Sequence, residues 1–221
     1  NIKSDSMRGK DQSTNSASPG NNPSGSEAIQ PSQAQKKLLV LDLDETLVHS
    51  RKENFETGTI SASFQKEGLT NQVYIAMRPG LKTFLKKMSK YYQLVLYTAS
   101  IKEYAHAVLN VLHIKQYFAA ILHREHCSFS RDEKYVKDIS ILIKQPSEIV
   151  LVDDSTYQRL NQPDNTLIIN AFRGEANDTE LKSISPFLKA LSRYADVRSV
   201  EEKFAEYQKQ SSRKLALTKG L

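Results

Sequence analysis

Asp42 and Asp44 stand two residues apart, directly after the apolar run Leu38-Leu39-Val40-Leu41. Asp153 and Asp154 follow a second run, Ile149-Val150-Leu151-Val152, and Thr98 follows a third, Leu94-Val95-Leu96-Tyr97. Runs that are apolar on consecutive positions mark strands buried on both faces of a parallel sheet. In such sheets ligands bind beyond the carboxyl ends of the strands. The sequence therefore places four carboxylates and a hydroxyl at one sheet edge. Like charges at that density repel unless a cation sits among them. Ligation by oxygen alone favours Mg²⁺, and Lys137 can supply a second positive charge. Taken singly, each residue has a plainer reading. An Asp after a strand is commonly a turn residue, and Thr98 can cap a following helix. Caps do not explain the combination.

The elements that must position these residues are legible as periodicities. Leu81, Phe84, Leu85 and Met88, just after Pro79-Gly80, have helical spacing, and Ile101, Tyr104, Ala105, Val108 and Leu112 repeat it. A further apolar run, Leu167-Ile168-Ile169, completes an alternation of strands and helices. This predicts an α/β fold, a doubly wound parallel sheet with helices on both faces. Residues 51–77 break the alternation. Phe64 and Val73-Tyr74-Ile75 read as short strands with turns at Gly58 and Gly68, a small β insertion after the first strand. One more strand is expected at 119–122. Leu181, Ile184, Leu188 and Leu191 predict a helix that restarts at Ser185-Pro186. Val200, Phe204 and Tyr207 continue as an amphipathic tail helix.

Composition narrows the function classes. The chain has 221 residues, 39% hydrophobic and 25% charged, enough for one domain with tails. No apolar run approaches the ~20 residues of a membrane span. Residues 1–35 are rich in Ser, Asn, Gln, Gly and Pro and read as disordered. The net charge of +6 is concentrated near the C-terminus, where residues 203–221 hold five basic residues against Glu206, leaving +4. That is a basic tail on a fold with no basic face, so no direct nucleic-acid binding is expected of the folded part. A single cysteine, Cys127, excludes a disulfide framework and fits a reducing compartment.

The motifs are similar to those of a known family. Asp42-Leu43-Asp44-Glu45-Thr46-Leu47-Val48 resembles the D-x-D-x-T/V motif of the haloacid dehalogenase (HAD) superfamily. Continued through His49-Ser50, it resembles the phosphatases of the RNA polymerase II C-terminal domain, the small CTD phosphatases and Dullard-type relatives. Arg78-Pro79, Tyr97-Thr98-Ala99-Ser100, Arg124-Glu125-His126-Cys127, Tyr135-Val136-Lys137-Asp138, Gln162-Pro163-Asp164-Asn165 and Asn177-Asp178-Thr179-Glu180-Leu181 follow in the family's order. Two stretches depart from it. Asp153-Asp154-Ser155 stands where small CTD-type relatives read D-N-S, and Arg51-Lys52 stands where they place an apolar residue. The resemblance implies a HAD-like phosphatase domain over 36–195, flanked by the segment 1–35 and a basic helical tail over 196–221.

It also implies roles. Asp42 is the nucleophile that forms an aspartyl-phosphate. Asp44 is general acid, then base for the hydrolytic water. Mg²⁺ is held by Asp42, the Asp44 backbone carbonyl and Asp154, with Asp153 supporting from behind. Thr98 hydrogen-bonds a phosphate oxygen, Lys137 neutralises phosphate and aspartate, and Arg124 and Tyr104 lie near a phosphopeptide. The implied activity is Mg²⁺-dependent protein serine/threonine phosphatase, acting on the RNA polymerase II C-terminal domain or another phosphoprotein. Its place is intracellular, nuclear or cytoplasmic with nuclear favoured, with room for a regulatory partner. Alternatives are a small-metabolite phosphatase and a phosphopeptide-binding module without turnover. A cysteine mechanism is disfavoured, because it needs Arg six positions after Cys127 and position 133 is Glu. The gaps after Asp44 and between Thr98 and Lys137 leave no room for a helical lid, so an open cleft is expected.

Overall fold

Lys37–Leu41 (β1) lies at the centre of a parallel sheet, and Leu38 to Leu41 are buried because neighbouring strands flank it on both sides. The computed structural model describes residues 36–54, 59–132 and 134–219. The other strands of this sheet are Tyr92–Tyr97 (β5), Phe118–Leu122 (β6), Ile149–Asp153 (β9) and Thr166–Ile168 (β10), in the order β10-β9-β1-β5-β6. Leu39 sits opposite Leu94 on one side and Val150 on the other. Alternate side chains feed two cores. Leu39, Leu41, Leu94, Leu96, Val150 and Val152 point to the larger one. It is built by the helices Leu81–Met88 (α1), Lys102–Val111 (α2) and Glu180–Leu191 (α4). Leu38, Val40, Val95, Tyr97 and Leu151 point to the smaller, closed by Ile139 and Leu142 on 3₁₀ turns. Each fully buried Leu, Ile or Val contributes about 1.5–3 kcal/mol.

The β insertion is a three-stranded antiparallel sheet, Val48–Arg51 (β2), Ile60–Lys66 (β3) and Leu69–Met77 (β4), in the order β2-β4-β3. Ala62 and Phe64 of β3 face inward while Ser61, Ser63 and Gln65 are exposed, the period-two pattern of a sheet with one wet face. Lys66 pairs with Leu69 across a two-residue turn, Glu67-Gly68, with φ of 52° and 77°. Both positions need the left-handed region, as in a type I′ turn, which explains the glycine. The turn expected at Gly58 lies outside the described residues, as does the expectation for 1–35.

Three short elements complete the site side: Ser128–Phe129 (β7), Tyr135–Val136 (β8) and the helix Thr156–Asn161 (α3). The expected restart at Ser185-Pro186 does not occur. α4 runs through Pro186, with Ser185 Oγ donating to the Leu181 carbonyl at 2.7 Å. Burial of Ile184, Phe187, Leu188 and Leu191 outweighs the proline's cost of about 3 kcal/mol. The last helix, Val200–Lys219 (α5), begins inside the core: Val197 and Val200 are fully buried, and Phe204 and Tyr207 pack on Phe187 at 4.9 and 5.6 Å between ring centroids. Among the described residues no helix is long and apolar enough to cross a membrane.

Candidate active site

The chain leaves β1 and turns sharply. The amide of Asp42 still donates to the Val152 carbonyl at 3.1 Å, which extends the ladder one residue past the strand. Glu45 then takes a left-handed conformation, φ 59°, and donates its amide to Val48. This tight loop holds Asp42 and Asp44 over the sheet edge. It is fixed from below by Arg78, fully buried, whose Nη1 donates to the Thr46 carbonyl at 3.0 Å and Nη2 to the Asn170 carbonyl at 2.7 Å. It also makes a bidentate contact to Asp178 at 2.9 and 2.8 Å. The Arg78 guanidinium holds the Asp178 carboxyl below the usual carboxylate range.

Six residues singled out from the sequence line one cleft of about 540 Å³: Asp42, Asp44, Thr98, Lys137, Asp153 and Asp154. Arg124 lines it too. Tyr104 does not, but its hydroxyl donates to Asp44 Oδ1 from the adjoining groove. Lys137 Nζ is buried between two carboxylates. It donates to Asp42 Oδ1 and, at 2.6 Å, to Asp153 Oδ2. Both contacts hold its ammonium charged to higher pH than a free lysine, against the opposite pull of burial, which is the largest single effect. Burial pushes the Asp42 carboxyl well up, with Asp153 and Asp44 adding to the push and Lys137 opposing it. Burial likewise raises Asp154, with Asp153 beside it.

Asp44 has a different surrounding. Ser100 Oγ donates to its Oδ2 at 2.7 Å, and Thr98 Oγ1 lies 3.5 Å from the same oxygen. Burial raises its carboxyl, and the hydroxyls of Tyr104 and Ser100 pull it partly back. Asp42 is thus paired with a cation and Asp44 with hydroxyls, two carboxyl groups two residues apart in unlike environments.

One carboxylate oxygen from each of Asp42, Asp153 and Asp154 lies within 4.8 Å of the others. The set is all hard oxygen, crowded and poorly solvated, which fits a divalent cation such as Mg²⁺. Thr46 Oγ1 orients Asp154 from 3.3 Å, and the Ser155 amide donates to Asp153 Oδ1 at 2.9 Å. Arg124 donates from Nε to the Ala99 carbonyl at 2.8 Å and stacks on the Tyr135 ring at 4.8 Å, on the rim of the cleft. Cys127 is half buried, its thiol pushed up by burial and set toward the Thr98 carbonyl, which makes it a poor nucleophile.

Sequence reasoning missed several supporting residues. Ser100 lay inside the Tyr97-Thr98-Ala99-Ser100 stretch and so was within reach. Gln162 lay inside the Gln162-Pro163-Asp164-Asn165 stretch with no role assigned, and Gln158 carries no motif signal. Gln158 accepts from the Lys137 amide at 2.9 Å and donates to the Tyr135 carbonyl at 2.9 Å, while Gln162 donates to the Lys137 carbonyl at 2.6 Å. Together they clamp the strand that delivers Lys137.

The parallel sheet flanked by helices, with this carboxylate cluster at the ends of β1 and β9, has the architecture of a HAD-like α/β fold. The chain belongs to the NLI interacting factor-like phosphatases, whose model matches residues 37–198. It is 38% identical over 165 residues to the human CTD small phosphatase-like protein, covering 75% of this chain and 59% of that one. It is 36% identical over 167 residues to the human carboxy-terminal domain RNA polymerase II polypeptide A small phosphatase 1, covering 76% and 64%. The chain thus spans less than two thirds of the length of these relatives. The solved structure of Fcp1, an essential RNA polymerase II CTD phosphatase, is similar in fold, with a TM-score of 0.51 at 21% identity over 83% of this chain and 52% of that one.

Proposed function

We propose that this protein is a Mg²⁺-dependent phosphoprotein phosphatase, directed at phosphoserine and phosphothreonine, that acts through an aspartyl-phosphate on Asp42. The observation that carries the reading is the unlike setting of the two aspartates: Asp42 on the Lys137 ammonium, Asp44 on the hydroxyls of Ser100 and Tyr104. The Lys137 ammonium opposes the effect of burial on Asp42 and aims its carboxylate as the nucleophile. Asp44, whose carboxyl burial also raises and whose partners are hydroxyls rather than a cation, is the group set to carry a proton as acid.

In the first step an Asp42 oxygen bonds to phosphorus as the bond to the seryl or threonyl oxygen breaks, and that oxygen takes the Asp44 proton. In the second, a water oxygen attacks the acyl phosphate, its proton returns to Asp44, and the phosphorus–Asp42 bond breaks to release phosphate. Lys137 offsets negative charge on Asp42 and the phosphoryl group throughout, and Thr98 donates to a phosphoryl oxygen. Asp42, Asp154 and the Asp44 carbonyl would hold Mg²⁺, with Asp153, which accepts from Lys137 and the Ser155 amide, supporting from behind, and the chemistry a bound ion would supply is screening of the phosphate charge from the nucleophile. The open cleft, which runs into a groove on the β insertion, suits an extended phosphopeptide, and the names of the relatives make the RNA polymerase II C-terminal domain the first substrate to try. A nuclear setting follows from that substrate.

The test is release of inorganic phosphate from phosphoserine and phosphothreonine peptides, an aryl phosphate and a sugar phosphate. Hydrolysis of the peptides with the highest kcat/KM, stopped by EDTA and restored by Mg²⁺, is expected. Peptide binding without turnover of any substrate would establish a binding module instead, and a better rate on the sugar phosphate would establish a metabolite enzyme.

A further inference from the structure

The catalytic cleft opens sideways into a second depression of about 470 Å³ between the β insertion and α2. The two share Asp44, Glu45, Ser100 and Arg124, so they are continuous. The floor of the second is closed by Phe64, set edge-on to Tyr104 with ring centroids 5.7 Å apart. The Tyr104 hydroxyl is occupied by Asp44 and by Ser50, the latter at 2.7 Å, so the floor offers no vacant donor there. Beyond Ile101 and the Glu45 shared with the main cleft, the walls carry Lys52, Lys66 and Asn71, with Arg124 at the junction.

The sheet dictates this arrangement. Ala62, Phe64 and Lys66 alternate onto one face of β3, so the same face that is apolar under α2 becomes positive at its exposed end. Among the described residues Lys66 has one ion pair, with Glu67 at 3.8 Å, in which both side chains are exposed, a contact of little strength. The carboxylates that share the groove are engaged elsewhere, Asp44 with the hydroxyls and Glu45 with His49 Nδ1 at 2.9 Å.

We propose that this groove is a second anion subsite, taking a carboxylate or a phosphate carried by a substrate residue that flanks the residue being dephosphorylated, on the side of the β insertion. The proposal rests on the phosphopeptide reading of the main cleft and gives it a substrate class: acidic or multiply phosphorylated segments. Arg124 lines both depressions, and Lys52 and Lys66 line only the second. Both lysines being exposed, each charge pair is worth a few-fold in an equilibrium constant, so that the two together give about 3–10-fold. An advance of about 3.3 Å per extended residue brings an anion from the main cleft into the groove within a few residues.

The test uses the whole chain and fluorescein-labelled phosphopeptides, with binding read by anisotropy in EDTA. A reference peptide has glutamine at every flanking position. In one series a single glutamate is moved through roughly four positions on either side of the phosphoresidue, an extended span that more than covers the groove. In a second series phosphoserine replaces the glutamate. A 3–10-fold lower Kd at one or two adjacent positions on one side is expected, larger for phosphate than for carboxylate and shrinking as salt is raised. In the Lys52→Ser, Lys66→Ser double variant the ratio of acidic to reference Kd should return to near one. A gain from glutamate and phosphoserine alike identifies a general anion site, and a gain from phosphoserine alone identifies a second phosphate. Equal Kd across both series overturns the proposal, and so does a gain that survives the double substitution. Turnover of the reference peptide with Mg²⁺, measured in parallel, reports on the phosphatase reading by itself.

Discussion

Asp42 and Asp44 are separated by one residue and divided by their partners. Asparagine at position 42 keeps the shape and a hydrogen bond to Lys137 but cannot form an acyl phosphate. Asp42→Asn should therefore remove turnover and trap no phosphoenzyme, whereas residual activity above a tenth of wild type in a steady-state assay would reassign the nucleophile. Asp44→Asn should slow turnover by roughly 10²–10⁴-fold, the usual worth of a general acid and base. Phosphoenzyme accumulating in that variant, seen by acid-quench labelling, would place the greater loss in water activation. That Asp42, Asp44, Asp153 and Asp154 gather at one sheet edge was legible from the sequence, because strand ends and motif order both point there. Their hydrogen-bond partners were not. Ser100 and Gln158 act through single bonds to Asp44 and to the Lys137 backbone, and a polar side chain leaves no periodic trace of a bond made across the fold.

At the scale of elements, the loop after β1 depends on a residue far from it in sequence. Arg78 follows the end of β4 and joins Thr46, Asn170 and Asp178, tying three segments to one guanidinium. Arg78→Met keeps the bulk but strands Asp178 and two carbonyls. Breaking a buried pair by removing one partner costs about 3–5 kcal/mol. At about 2–4 °C per kcal/mol for a domain of this size, thermal unfolding should fall by roughly 10 °C. A fall under 2 °C would show that the loop is held by its own backbone bonds. The long elements were readable, since β1, β5, β9, α1 and α2 each carry a sustained apolar period. The two-residue strands β7 and β8 and the short α3 were not, because they are too short to hold a period and exist through tertiary contacts. Pro186 misled for a related reason: local preference marks a break, and the packed face of α4 overrides it.

Over the whole molecule, the site is a store of unfavourable charge that a cation relieves, and this couples stability to pH. Burial raises the carboxyl groups of Asp42, Asp44 and Asp154 above their ordinary values. A group whose folded pKa is raised contributes stability that is complete below its unfolded value, near 3.9, and lost as pH rises through the folded value. The metal-free protein therefore gives up stability as these groups ionise on the way to neutral pH. Mg²⁺ binds the ionised forms, so its stabilising effect must grow over the same interval. At 100 times Kd a ligand adds about 2.7 kcal/mol, or roughly 5–10 °C in Tm. The shift on adding Mg²⁺ should approach that range at pH 8 and be less than half as large at pH 5, with Mg²⁺ at the same concentration in both. Asp154→Asn, which removes a ligand without touching the Asp42–Lys137 pair, should abolish most of the shift at pH 8. Differential scanning fluorimetry across pH 5–8 checks this without any substrate. An equal shift at both ends, or one untouched by Asp154→Asn, would mean that Mg²⁺ binds elsewhere and that the carboxylate trio is held by Lys137 alone.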